Sequence, residues 1–456
     1  MQAHLTPRPP ALRRQRGLSL IELMVAVAIS LVILLALVTV FVNTSRNNAE
    51  LARTSSQIEN GRFAMQLLQG ELAHAGFWNT HVPQFDDLTL VSIPSDVPGA
   101  VPDPCLAFNP TNWTNDYKSQ LIGIAIQAYD AVPAGCATVI TDKQPNSDVL
   151  VVRHAETCVA GSGGNCAADT TGALYFQNSQ CMAEASAAAQ TGSSSNTIKL
   201  AATASAVDDA YNGMRLRIIS GAGAGQARDI TAYSGAGKTA TVSPAWTTIP
   251  DATSVYSLDP VLATSGFNLK KRDCTTAADK RKFSSTIYYV RTWANTQGDG
   301  IPTLVQSKFD LVSGVLAHPA TVTPLIEGIE ALRVELGVDN LSDAGSAVNF
   351  TQAVAWANTS VLTSPTNRGD GNADGAYVHC STAAPCSVDQ LMNTVAVKLF
   401  LVARARERSA GYVDNKTYTL GSATWSVPSA DTGFRRHVFS GAVRLTNISG
   451  RRETPP

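Results

Sequence analysis

Charge and aromatic rings are scarce in this sequence: Asp, Glu, Lys and Arg make up 16% of its 456 residues, and Phe, Trp and Tyr 7%. A formal net charge of −1 lacks the basic excess that phosphate neutralisation needs, so no nucleic-acid partner is implied. There is no Gly-x-Ser-x-Gly, no His-Glu-x-x-His and no glycine-rich strand-to-helix loop for a dinucleotide, and the seven histidines are scattered singly. The chain therefore reads as a non-enzyme with no cofactor. No Cys-x-x-Cys is present either, so a zinc site would have to pair His154 with Cys158 or His379 with Cys380. Proline is missing from Leu18 to Val82, and nothing in that stretch forbids one long helix.

What is there begins with a basic leader and an apolar run from Leu18 to Val42 whose one charge is Glu22. At helical rise these residues extend about 37 Å, enough to cross a hydrocarbon core of about 30 Å. Arg8, Arg13, Arg14 and Arg16 precede the run and the next basic residue is Arg46, a bias that keeps the N-terminus cytoplasmic and sends the bulk of the chain across. A secretory signal peptide has a shorter apolar region and a small-x-small cleavage site. A plain anchor explains length and charge bias but not the acid, whose burial at mid-membrane would cost about 2.5–3.5 kcal/mol and less near the end. A helix cannot fold its own terminus back onto Glu22, so the acid is expected to find its partner on another chain and to act as a register device.

Gly17-Leu18-Ser19-Leu20-Ile21-Glu22 closely resembles the prepilin signature of type IV pilins and type II secretion pseudopilins. The resemblance implies that a prepilin peptidase cuts between Gly17 and Leu18 and methylates Leu18, and that Glu22, fifth in the mature chain, pairs with the terminal amine of a neighbouring subunit. Leu18 stands where that family usually has phenylalanine, and the missing proline leaves no obvious point for the helix to melt. Loss of the leader's four arginines leaves 31 basic against 36 acidic residues, a net −5 that suits solubility.

Leu51, Ile58, Met65 and Leu72 recur every seven residues, with Leu68 beside them, so the helix is expected to continue beyond the membrane and to pack on a head. All eight cysteines follow the apolar run in an even set, which points to an oxidising compartment. Eight cysteines allow 105 connectivities; pairing neighbours gives Cys105 with Cys136, Cys158 with Cys166, Cys181 with Cys274, and Cys380 with Cys386. Strands are expected over 148–153, 285–291, 395–401 and 437–445 from their β-branched and aromatic content.

Between Cys181 and Cys274 the composition changes near Gly192 and changes back near Leu258. Short strands separated by glycine turns are expected at 196–200, 214–218, 228–233 and 239–243, with Met214, Leu216 and Ile218 alternating against Arg215 and Arg217. The stretch 193–258 resembles a small β module of phage structural proteins, which implies a structural or adhesive surface. Within it Gly235-Ala-Gly-Lys-Thr239 imitates the end of a phosphate-binding loop, but the motif's first glycine would fall at Ala232 and no helix follows, so a hairpin turn is expected. Asp370, Asn372 and Asp374 are spaced like the opening of a calcium loop, yet Ser381 occupies the twelfth position, leaving a polar turn as the main reading and calcium as the weaker one. The overlapping Arg368-Gly369-Asp370 is a tripeptide that chance produces easily.

A second resemblance lies in Ile329–Asp339, Asn393–Arg404, Phe434–Phe439 and Leu445–Asn447, which look like the C-terminal blocks of PilW-family minor pilins. The expected fold is α+β: a long N-terminal transmembrane pilin helix packed on a β-rich, disulfide-bonded head with an inserted small all-β module. The expected divisions are a leader over 1–17, a helix over 18–78 with its membrane part at 18–42, a head from 79–192 and 259–456, and the insert at 193–258. The resemblance implies a minor pilin that joins other minor and major pilins in an initiation or tip complex of a type IV pilus. Its head would be periplasmic while the prepilin sits in the inner membrane, and later displayed on the pilus. A type II secretion pseudopilin and a membrane-anchored adhesin or hydrolase are the other readings.

Overall fold

The computed structural model describes residue 17 and residues 19–453. The chain falls into two units, Met1–Ser55 and Ser56–Pro456. The expected methyl-acceptor Leu18, the rest of the leader before Gly17 and the last three residues lie outside the described residues.

Helix α1 covers Leu20–His74. Its apolar part reaches a mean hydropathy of 3.1, is wholly uncovered by the rest of the chain, and is long enough to cross a membrane. Ser30 and Thr39 return their hydroxyls to the carbonyls of Ala26 and Leu35, which removes the cost of two polar groups on an apolar surface. The helix stops at His74, short of the expected residue 78, because Gly76 adopts φ +70° and Ala75 N–H turns back to Leu72.

The second unit is β-rich. In chain order it first contributes α2 (Asn115–Gly123), β1 (Ile126–Tyr129), β2 (Val149–Ala155), β3 (Tyr175–Gln177) and α3 (Met182–Ala185). A middle group follows: β4 (Ala187–Ala188), β5 (Thr197–Lys199), β6 (Arg215–Ser220), β7 (Ala227–Ser234), β8 (Thr239–Ser243) and β9 (Val255–Leu258). Then come β10 (Val261–Ala263), β11 (Lys280–Arg291), β12 (Thr303–Lys308), β13 (Asp310–Val312), β14 (Val315–Ala317), β15 (Thr323–Glu327) and β16 (Ile329–Val338). The chain closes with β17 (Trp356–Asn358), β18 (Thr363–Pro365), α4 (Val388–Met392), β19 (Thr394–Arg404), β20 (Thr417–Leu420), β21 (Ala423–Ser426), β22 (Arg436–Arg444) and α5 (Thr446–Arg452).

Two sheets frame the main core. One runs β1-β2-β11-β12-β15, with β3 and β10 attached to the start of β11; the other is the antiparallel β16-β19-β22. Ala64, Met65, Leu68 and Leu72 of α1 pack into this core with Leu150, Val152, Leu304, Leu332, Leu399 and Leu401. Gly61 marks the closest approach: a Cβ there would stand 2.1 Å from Phe439 Cε2, so only glycine lets helix and sheet meet.

The strands β4 to β9 form their own six-stranded sheet, ordered β4-β9-β6-β7-β8-β5, over a separate core containing Ile198, Leu216, Ile218, Ile230, Tyr233, Val242 and Tyr256. The sheet starts at Ala187, six residues before the expected boundary. Arg217 does not face solvent as a polar alternation would suggest. It is 1% exposed, holds Asp259 at 2.6 Å, and reaches Ser119 and Ser95. Gly235–Lys238 is the turn between β7 and β8, with no helix behind it.

Candidate functional site

Serine opens α1 and glutamate stands three positions on, an arrangement that satisfies two orphan donors at a helix start. Ser19 N–H donates to Glu22 Oε2 at 2.9 Å, Ser19 Oγ donates to the same oxygen at 3.0 Å, and Glu22 N–H donates back to Ser19 Oγ at 3.3 Å. The carboxylate thus takes two hydrogen bonds from its own chain, while no cation pairs with its charge among the described residues. The Ser-x-x-Glu spacing is visible in the sequence, where the neighbouring Gly17-Leu18 pair draws attention away from it. Oε1 of Glu22 accepts nothing among the described residues. Gly17 lies exposed just ahead of the helix with open space around its Cα. The side chains from Leu20 to Phe41 are exposed throughout.

Four disulfides brace the head: Cys105–Cys136, Cys158–Cys166, Cys181–Cys274 and Cys380–Cys386. The thiolates that zinc would need beside His154 or His379 are therefore oxidised away. His154 is buried against Ala155 O at 2.9 Å, and burial lowers its pKa. His379 sits between Arg333 and Asp148, with Nε2 3.1 Å from Asp148 Oδ2.

Asp370, Asn372 and Asp374 belong to a turn whose carboxylates serve the backbone. Asp370 Oδ1 accepts from Asn372 N–H, and Asp374 Oδ2 accepts from the N–H groups of Asn340 and Leu341, each at 2.8 Å. The neighbouring Asp339 in turn accepts from Asp370 and Gly371 N–H and meets Arg452 at 3.3 Å. Arg368 is 3% exposed and spends its guanidinium on the carbonyls of Asn349, Asn367 and Gln352, so the Arg-Gly-Asp tripeptide presents no arginine.

Sequence reasoning missed the charge clusters that hold the C-terminal part of the head. Arg436 grips Glu330 through two bonds at 2.6 and 3.0 Å and meets Asp414 at 3.3 Å, with all three side chains fully buried. Arg452 of α5 ties Asp86 at 2.8 Å to Asp339 and Asn393. Each carries its counter-charge in β16, a loop or the far end of the chain, so nothing local in the sequence announces it.

Comparison with known families finds two matches. Residues 287–447, from the end of β11 through β22 into the start of α5, match the family "Type IV Pilus-assembly protein W". The match covers about a third of the chain. Residues 12–38 match the prokaryotic N-terminal methylation motif, which brackets Gly17, Leu18 and Glu22 ahead of that region. Among solved structures, a type IV-like pilin from Thermus thermophilus matches at 17% identity over 37% of this chain and 70% of its own, with a TM-score of 0.17. A comparison with curated proteins finds no match. The two matches together support a minor pilin in type IV pilus assembly.

Proposed function

We propose that this chain is a prepilin cut between Gly17 and Leu18 by prepilin peptidase, methylated on Leu18, and built with other minor and major pilins into an initiation or tip complex of a type IV pilus. The single observation that carries this reading is an acid in the first turn of an uncovered apolar helix, directly behind a glycine and in the same chain as a PilW domain. Ser19 occupies Oε2 of Glu22 and leaves Oε1 for a second donor. The new amine at Leu18 of a neighbouring subunit supplies that donor. A charged pair buried in lipid tolerates only the axial stagger that brings amine and acid together, because any other packing strands both charges.

In this reading the head lies in the periplasm before assembly and on the pilus afterwards. Residues 193–258 are an inserted module that adds surface without entering the PilW domain, which is consistent with the separate sheet of β4 to β9 and its own core. The eight cysteines hold the displayed head together outside the cell. Deletion of the gene separates the possibilities: loss of pili or twitching supports this assignment, and loss of secreted enzymes with normal pili points to a type II secretion pseudopilin instead.

A further inference from the structure

A cavity of about 600 Å³ opens in the head, walled by residues from three stretches of chain, 101–104, 128–135 and 380–391. Its volume falls among those of small-molecule sites, about 300–1,000 Å³. The stretches are locked together before any guest arrives: Cys105–Cys136 ties the first to the second, Cys380–Cys386 closes the third on itself, and Thr382 bonds the third to Asp130 of the second. A cavity braced in this way loses little freedom when it is filled.

The lining is mostly apolar and poor in donors. Pro102, Pro104, Pro133 and Pro385 have no N–H to give. The N–H groups of Ser381, Thr382 and Leu391 go to Ala384 O, Asp130 Oδ1 and Ser387 O. No lysine, arginine or histidine lines the cavity, so what it offers a guest is acceptors and negative charge.

Asp103 and Asp130 supply that charge. Asp103 Oδ1 accepts from Cys105 N–H at 2.9 Å, and Asp130 Oδ1 accepts from the N–H and hydroxyl of Thr382 at 2.8 and 2.6 Å. The Oδ2 atom of each accepts no bond from another described residue, and neither carboxylate has an ion-pair partner among them. Asp103 Oδ2 leans over Gly135, where a Cβ would come within 2.5 Å of it. Lys143 places its ammonium on Asp130 O at 2.9 Å, and Arg153 spends its guanidinium on Ile124 O and Gln127 Oε1; neither cation lines the cavity. Cys105 and Cys136, which adjoin Asp103, are joined to each other and offer no thiolate to a metal.

We propose that this cavity binds a small organic cation, an alkylammonium whose stem packs on the prolines and Leu391 and whose charge is met by Asp103 and Asp130. A neutral guest of the same shape leaves both carboxylates without a counter-charge, and an anionic one adds a third negative charge beside them. The proposal does not rest on the pilus assignment.

The test titrates the detergent-solubilised full-length chain, labelled at its methyl groups, with pentylamine, pentanol and pentanoate at neutral pH while the methyl signals of Leu391 and Val132 are followed by NMR. Pentylamine is expected to move both signals saturably, with pentanol weaker by roughly tenfold, as for the loss of one charge-assisted hydrogen bond. Butylamine should bind roughly fourfold more weakly for its missing methylene. Asp103→Asn and Asp130→Asn keep the Cys105 and Thr382 bonds through the amide oxygen, and each is expected to weaken pentylamine several-fold at an unchanged melting temperature. Nα-acetyl-lysine N-methylamide carries the same ammonium on a peptide backbone and is expected to bind less tightly than pentylamine; tighter binding would assign the cavity to a partner's lysine and overturn the proposal. Signals that do not move, equal affinity for amine and alcohol, or full affinity in both Asn variants would overturn it as well.

Discussion

Replacing Glu330 by Gln tests whether the PilW region is held by charge or by packing alone. Glu330 and Arg436 are both inaccessible, Glu330 also stands 3.6 Å from Arg404, and Asp414 alone would remain beside Arg436 at 3.3 Å. Removing one partner of a buried pair costs about 3–5 kcal/mol, because the other charge stays in a medium that cannot solvate it. Glutamine keeps the volume and one acceptor, which favours the lower end. At about 2 cal/mol/K per residue the head unit Ser56–Pro456 unfolds with an entropy of about 0.8 kcal/mol/K, so a loss near 3 kcal/mol lowers the melting temperature by roughly 3–4 °C. Circular dichroism of the detergent-solubilised protein reads this directly. The triple variant Glu330→Met, Asp414→Asn, Arg436→Met removes all three buried charges and is expected to recover most of the loss. A single variant that melts within about 1 °C of the parent, well inside the expected penalty, would refute the reasoning, as would a triple variant less stable than the single.

Other predictions follow from the same structure. His318 is 5% exposed and burial pushes its pKa down to about 3, so the unfolded chain binds a proton that the folded chain refuses between about pH 3 and 6.5. Stability therefore falls as pH drops through that window, by about 2–3 kcal/mol at pH 4.5, and His318→Gln should flatten the melting-temperature profile there; an unchanged slope would argue against it. Gly61→Val forces a side chain into Phe439 and should cost about 1–3 kcal/mol, with Phe439→Ala relieving the clash in the double variant when both are melted side by side. Cys181–Cys274 spans 93 residues and Cys380–Cys386 only 6. On chain entropy, opening the first by paired alanine substitution should cost about 4–5 kcal/mol and the second about 2, and equal losses in denaturant titration would contradict that account.

Much of the architecture was legible because burial leaves a period in the sequence. Asp148–Arg153, Ser285–Arg291, Val395–Leu401 and His437–Leu445 were expected as strands and are β2, the later part of β11, β19 and β22. The four expected strands between Asn196 and Ser243 are β5 to β8, with ends shifted by two residues at most. Glycine turns and β-branched alternation suffice for that. Partners are another matter: β11 pairs with β2 across more than a hundred residues, and no local pattern encodes such a register.

Buried arginines read as solvated for the same reason. Arg217 and Arg436 sit at strand positions where a polar residue normally means water, and only the distant Asp259 and Glu330 make burial tolerable. At the helix start the opposite holds. The capping serine is visible at three-residue spacing, and the expectation of a partner in another chain obscures the partner already present in Ser19.

The most direct test of the central claim is Glu22→Gln, which keeps the side chain's shape and removes the charge offered to a neighbour's amine. Mass spectrometry of the N-terminus and the quantity of chain in sheared filaments are measured on the same cells. The account predicts a normally cut, methylated Leu18 in the membrane and near-absence of the variant from filaments; a Glu22→Gln chain that enters filaments at the parental level would contradict it.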